Sequence, residues 1–229
     1  LGDVYKRQDI VLCSSEYLKE KVISRSGINR EVHIINNAIS LPQIRHFDSF
    51  PSKVQDAINL LKSLKCSLLY IGTISQWFDF KLICEALDKK EDVQLVLIGP
   101  KDCDIPSHKQ IHYIGSVERQ YIYSLMEQAS ALVMPFIVNE LIRSVNPVKM
   151  YEYIYMEKPI IAPHYGEMEK FLPYINLYHD NDEFMSLVDQ LSKSELQISS
   201  EKGNEMKGFA EKNTWESRYE EVKKILFNV

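Results

Sequence analysis

From Cys66 onward the chain alternates short apolar runs with longer amphipathic stretches, and this alternation constrains the fold more than any other feature. The runs cover 67–71, 93–98, 111–114, 131–136, 159–162 and 175–178. Each is short enough for a strand, apolar on both faces, and closed by a turn residue such as Gly72, Gly99 or Gly115. Between and after them, helical spacing predicts helices over about 78–87, 118–129, 167–171, 182–191, 200–212 and 215–227; the second places Ile122, Leu125, Met126 and Ala129 on one face. Strands buried on both faces and separated by helices form parallel sheets covered on both sides. The expectation is therefore an α/β, Rossmann-like parallel sheet with helices on both faces.

Ahead of this block, residues 9–40 read β-α-β. An apolar run at 10–13 ends in Ser14-Ser15, and Ser15 can cap a helix to about residue 24 that Gly27 stops. A second strand at 32–35 closes at Asn36-Asn37. Residues 41–65 mix Pro, Ser and charges with one helix at 53–64, and mark a linker. Residues 1–8 look foreign: Asp3-Val4-Tyr5-Lys6-Arg7-Gln8 reads like a translated transposon end from sequencing-library preparation, so 1–8 are set aside. With no initiator Met ahead of a sensible frame from Asp9, the chain is expected to be the C-terminal part of a longer protein.

Composition narrows the function classes. Apolar residues make up 45% and charged residues 26%, the balance of a globular protein. A net charge of −5 with scattered basic residues argues against nucleic acid as a partner. No apolar run is long enough to cross a bilayer. The four cysteines are widely spaced without a C-x-x-C, so reduced thiols in the cytoplasm are expected. His108 and His112 are the only closely spaced histidines and straddle a loop and a strand start, a poor basis for a metal site.

The chemistry concentrates in 139–162, NELIRSVNPVKMYEYIYMEKPIIA. A polar loop carrying Asn139, Glu140, Arg143 and Asn146 runs into a helix start, with Asn146 as expected N-cap and Pro147 as first helical residue. Lys149 and Glu152 then share one helical face. Free N–H groups at a helix N-terminus, a Lys in the first turn and an Arg just before it suit a diphosphate. A carboxylate one turn further in could accept two hydrogen bonds from a ribose diol. Gly72-Thr73, after the first strand of the main block, would let a ligand approach the backbone closely.

In its wording N-P-x-K-x-Y-E-Y-x-x-x-x-K-P-I-I, the block resembles the nucleotide-sugar site of GT-B glycosyltransferases, especially the large retaining group that builds bacterial polysaccharides. The resemblance covers nearly all of 9–229. Residues 9–15 and 34–38 resemble the end of the family's acceptor-binding N-terminal domain. Leu69-Tyr70-Ile71-Gly72-Thr73-Ile74-Ser75 with Trp77-Phe78-Asp79 resembles the opening of its nucleotide-binding C-terminal domain. Asn213-Thr214-Trp215-Glu216-Ser217-Arg218 resembles the entry to its last helix. The resemblance implies a remnant of the N-terminal domain at 9–40, a linker at 41–65 and a nucleotide-sugar-binding domain at 66–229. It implies transfer from a nucleoside-diphosphate sugar to a carbohydrate or lipid-linked acceptor, with retention, no metal and no cofactor besides the donor. It also implies a cytoplasmic location, with peripheral association of the whole enzyme with the inner membrane face.

The departures bear on the site. Of two glutamates that the family often separates by seven residues, Glu152 matches the second, while Ser144 stands at the first; Glu140 lies four residues earlier. The usual Asn-Gly is Asn37-Ala38, and the Arg and Lys that many members place after the first C-terminal-domain strand are missing from 75–79. Phosphate charge would then fall to Arg143 and Lys149. The expected nucleotide-sugar set is Gly72, Thr73, Glu140, Arg143, Asn146, Lys149 and Glu152. A GT-B sugar-nucleotide epimerase and a non-catalytic binding module are the alternatives, the second favoured by Ser144. A glycine-rich first loop upstream would favour the transferase.

Overall fold

The computed structural model describes residues 8–26, 31–42 and 47–227; the readings made on residues 1–7 and on Gly27 lie outside them. The chain opens with β1 (Val11–Cys13), α1 (Glu16–Ser26) and β2 (Val32–Ile34), the two strands pairing in parallel. Ser15 starts α1 as expected, its Oγ accepting the N–H of Leu18 at 3.2 Å. After α2 (Ser52–Ser63) the main block runs β3 (Cys66–Ile71), α3 (Phe80–Lys89), β4 (Val93–Ile98), β5 (Ile111–Gly115), α4 (Ile122–Met126) and β6 (Ala131–Val133). It continues through α5 (Glu140–Arg143), α6 (Val148–Tyr155), β7 (Ile160–Pro163), β8 (Asn176–Tyr178), α7 (Asn181–Ser192), α8 (Ser200–Lys212) and α9 (Trp215–Phe227).

Strands β3 to β8 form one parallel sheet in the order β5-β4-β3-β6-β7-β8. The six residues of β3 are all buried, as a central strand covered on both faces requires. The order reverses between β3 and β6. In open α/β sheets the crevice beyond the carboxyl ends of such a strand pair is where ligands bind.

Three local expectations change. The helix predicted over 118–129 is a 3-10 turn, Arg119–Tyr121, followed by the short α4; Glu118 provides no side-chain cap, and Tyr121-Ile122-Tyr123 is a run of weak helix formers. The strand predicted over 131–136 ends at Val133, because the chain peels away toward an antiparallel bridge between Phe136 and Phe78. The polar loop before α6 contains a single helical turn, α5, capped by Asn139, whose side chain accepts the N–H of Ile142 at 3.0 Å.

The leading β-α-β unit is tied to the sheet domain by polar contacts. Ser15 Oγ donates to the Ser144 carbonyl at 2.8 Å, and the Glu16 N–H donates to Glu167 Oε1 at 2.7 Å. The buried Arg218 of α9 donates from Nε to the Asn36 carbonyl at 3.1 Å.

Candidate functional site

The site begins where β3 and β4 end. The Gly72 N–H donates to the Ile98 carbonyl at 2.8 Å, and Gly72 and Gly99 lie against each other with φ of 151° and 139°. A Cβ on Gly99 would collide with the Gly72 carbonyl. Only residues without side chains allow this packing, and the sheet edge beside the switch point is left as bare backbone.

Helix α6 is fixed above that edge. Its buried Tyr153 hydroxyl accepts the N–H of Ile71, the last residue of β3, at 3.1 Å. This anchor places Lys149, one turn earlier, over Gly72. A Cβ on Gly72 would lie 2.9 Å from Lys149 Cε and 3.0 Å from the Tyr70 hydroxyl. The ammonium sits 5.4 Å from the Tyr70 ring centroid, a cation–π distance. Burial pushes the Lys149 pKa below the ordinary lysine value; the Glu152 carboxylate raises it and the Arg119 guanidinium lowers it. No carboxylate among the described residues lies within ion-pair distance of Lys149. Glu152, the acidic residue of its helix, is bound through Oε1 to Arg119 Nη2 at 2.7 Å.

Lys149, Thr73 and the hydroxyl-bearing Tyr70 line a cleft of about 430 Å³ at the switch point. Trp77, Met134, Phe136, Leu141 and Val148 form most of its remaining wall. The Tyr70 hydroxyl donates to the Thr73 carbonyl at 2.8 Å, which holds the loop after β3.

The structure brings Gly72, Thr73 and Lys149 together in this cleft and places Glu152 one helical turn beyond it. The remaining expected residues lie elsewhere. Glu140 is exposed and pairs with Lys21 of α1 at 2.6 Å. Arg143 faces a separate cleft of about 470 Å³, alongside Glu16, Glu20, His164 and Glu167, because α5 turns it away from Lys149. Asn146 is buried and does not cap α6, whose N-cap residue is Pro147. The Asn146 side chain instead accepts the Asn37 N–H at 2.9 Å and donates to Glu167 Oε2 at 3.2 Å. The long-range demand of Asn37 and Glu167 wins over the local cap. Ser144, at the position of the first family glutamate, donates from Oγ to the Leu141 carbonyl at 2.6 Å.

Sequence reasoning missed Arg119, Tyr153 and Glu167. Arg119 follows β5 with no periodic signal. Tyr153 belongs to the quoted motif but reads as an ordinary core position. Glu167 is buried, a placement that only its three partners, Glu16 N–H, Asn146 and Lys170, make tolerable. His108 and His112 go separately to Asp88 and Gln94, and the described residues contain no group of three His, Cys, Asp or Glu side chains that could hold a metal ion.

No protein-family model matches the chain. It is 24% identical over 234 residues to TuaH of Bacillus subtilis (strain 168), a protein named for a glycosyltransferase role in teichuronic acid biosynthesis; the match covers 96% of this chain and 57% of TuaH. Among solved structures it resembles Anabaena Alr3699/HepE in complex with UDP-glucose, with TM-score 0.74, 12% identity, and coverage of 99% of this chain and 66% of HepE. It resembles sucrose-phosphate synthase from Thermosynechococcus elongatus with TM-score 0.72, 13% identity, and coverage of 98% and 59%. The chain thus spans less than two thirds of each of these proteins. It has the GT-B glycosyltransferase fold that the sequence resemblance implied, matched over part of that fold.

Proposed function

We propose that this chain holds the nucleotide-sugar donor of a GT-B glycosyltransferase. In this reading the whole protein moves a sugar from a nucleoside-diphosphate sugar to a carbohydrate or lipid-linked acceptor during surface-polysaccharide synthesis. The observation that carries the reading is Lys149, a partly buried cation with no carboxylate of the described residues at ion-pair distance, held at the start of a helix over the bare backbone of Gly72 at the switch point. Such a cation is costly unless an anion completes it. The helix N-terminus adds oriented N–H groups, and a diphosphate uses both. The resemblance to a HepE structure holding UDP-glucose supports the same occupant.

The chemistry follows from charge. As the glycosidic bond to the diphosphate breaks, negative charge grows on the leaving oxygen, and a fixed ammonium with helix N–H groups stabilises it more than the ground state. That source of positive charge is consistent with transfer without a metal, and retention accompanies the reading. Glu152 Oε2 makes no hydrogen bond to a described residue and can accept from a ribose hydroxyl, while Oε1 keeps Arg119. No helix among the described residues is long and apolar enough to cross a membrane. The proposed workplace is the cytoplasm, at the inner membrane face where a lipid-linked acceptor would be met.

Ligand-observed NMR with UDP, GDP and dTDP tests the reading. Lys149→Met should weaken the bound nucleoside diphosphate at least tenfold and the matching bare nucleoside hardly at all. Glu152→Gln should weaken both, by about 1–3 kcal/mol. Absence of binding by all three nucleotides, or equal losses of diphosphate and nucleoside on removing Lys149, would refute it.

A further inference from the structure

If the diphosphate sits on Lys149 as proposed above, the ligand has two ends, and the polar groups around it are unequally divided. The carboxylate of α6, Glu152, lies one turn beyond the cleft with Arg119. A ribose diol needs such an acceptor, which directs the nucleoside toward that side. The group on the other side of the diphosphate then meets the cleft wall itself. There most of the wall is apolar, from Met134, Phe136, Leu141 and Val148 and the indole of Trp77, with Thr73 and the Tyr70 hydroxyl on the side of Lys149. The Thr73 carbonyl already accepts from Tyr70, and the hydroxyl of Ser144, where a second carboxylate would stand, is turned onto the Leu141 carbonyl. The apolar character continues to the rim, where Leu141 and Val148 are 57% and 37% exposed.

A fully hydroxylated hexose fits this wall badly. Each hydroxyl buried there without a partner would cost affinity roughly tenfold. A methyl group would gain from the same surface, and the faces of Trp77 and Phe136, with ring centroids 6.4 Å apart and planes at 68°, offer two walls of a corner for it. We propose that the donor sugar carries a methyl-bearing substituent, an acetamido group or a 6-deoxy carbon, and that Trp77, Phe136 and Leu141 select it. Both sources share the chemistry of a methyl beside a diphosphate. This inference rests on the proposed function but is separable from it.

The test uses saturation-transfer NMR on the whole chain with donors matched by base: UDP-glucose against UDP-N-acetylglucosamine, dTDP-glucose against dTDP-rhamnose, and GDP-mannose against GDP-fucose. For the base that binds, the methyl-bearing donor should bind at least about fivefold tighter, a gain in keeping with one buried methyl. Its methyl protons should receive the strongest saturation of the sugar. The pair that responds distinguishes acetamido from 6-deoxy. Leu141→Asn, at an exposed position, should bring the ratio of the two donors' affinities to about one, and Trp77→Leu should do the same. Equal or tighter binding of the hydroxylated donor, or saturation confined to the nucleoside, overturns the inference and leaves the donor site standing. Displacement of bound donor by farnesyl diphosphate without any methyl preference among sugars would assign the wall to a lipid and also overturn it. Failure of every nucleotide to bind overturns both readings.

Discussion

Gly72→Ala tests the geometry of the site directly. The added Cβ would lie 2.9 Å from Lys149 Cε and 3.0 Å from the Tyr70 hydroxyl, well inside the ~3.5–4.0 Å of an ordinary carbon contact. The two neighbours differ in their freedom. Tyr70 is fully buried and hydrogen-bonded to Thr73, so it cannot retreat; Lys149 has a flexible stem and can. The backbone adds its own term, because φ of 151° at Gly72 is foreign to an L-residue and costs about 1–3 kcal/mol. Stiffening of the unfolded chain returns about 0.4–1 kcal/mol. The net loss is about 1 kcal/mol, which for a chain of this size lowers Tm by about 2–4 °C. Because the ammonium must leave its place over the sheet edge, nucleoside diphosphate should bind at least tenfold more weakly. Calorimetric melting of wild type, Gly72→Ala, Lys149→Ala and the double variant separates the two terms. A coupling of about 0.5–3 kcal/mol between the sites is expected if the collision with Lys149 matters. Strict additivity, together with unchanged nucleotide binding in Gly72→Ala, would refute the placement of Lys149 over Gly72.

Other perturbations follow from the same contacts. Burial lowers the Lys149 pKa in the fold, so between the folded and ordinary values the unfolded chain binds more protons and stability rises with pH. Lys149→Met should therefore raise Tm near neutrality and lose that advantage as pH climbs through the folded pKa toward the ordinary lysine value; an advantage independent of pH in thermal melts would contradict this. Arg119→Ala should free Glu152 to reach Lys149 on the same helical face, and should weaken diphosphate binding more than Lys101→Ala, a control at another cation near the sheet edge; titration of UDP into each variant decides. Glu167→Ala leaves Asn146, Lys170 and the Glu16 N–H without their buried acceptor and should cost about 2–4 kcal/mol in urea unfolding, with Glu167→Gln retaining part of it. Burial pushes the Cys66 thiol up to about 11, so it should stay inert to iodoacetamide at pH 8 in the native state and react once urea unfolds the chain.

The parts legible in the sequence are those set by local pattern. Strands buried on both faces and helices with one apolar face differ in period, so the order of elements and the parallel sheet could be read before any contact was known. Gly72 was legible for the same kind of reason: a glycine after a buried strand marks a backbone that must stay bare. What failed to show were preferences settled by distant partners. Asn146 has the local chemistry of a cap, yet Asn37, 109 residues away, claims it. Arg143 and Lys149 look adjacent on paper, but one helical turn capped by Asn139 separates them into two clefts. Arg119 reaches Glu152 across 33 residues and Glu167 reaches Glu16 across 151, separations at which no periodicity can speak.

The electrostatics of α6 follow from how its neighbours are paired. Two carboxylates lie close to the start of this helix, Glu152 on its own face and Glu167 below Asn146. Each has a cation of its own, Arg119 and Lys170, and neither approaches Lys149 within ion-pair distance. With both so paired, no carboxylate among the described residues meets Lys149 at ion-pair distance, and the ammonium stands next to the positive end of the helix dipole. A positive site thus exists in a chain whose net charge is −5 without any cluster of basic residues. It also explains why the missing Arg and Lys after β3 need not weaken the site in proportion: the strength of a cation in a half-buried cleft depends on what surrounds it more than on how many others accompany it. The same pairing ties the site to the leading β-α-β unit, because Glu167, which neutralises Lys170, also holds the first N–H of α1 and the Asn146 that precedes α6. A shift of α1 would therefore be felt at the helix start that carries Lys149, through a chain of hydrogen bonds rather than through the sheet.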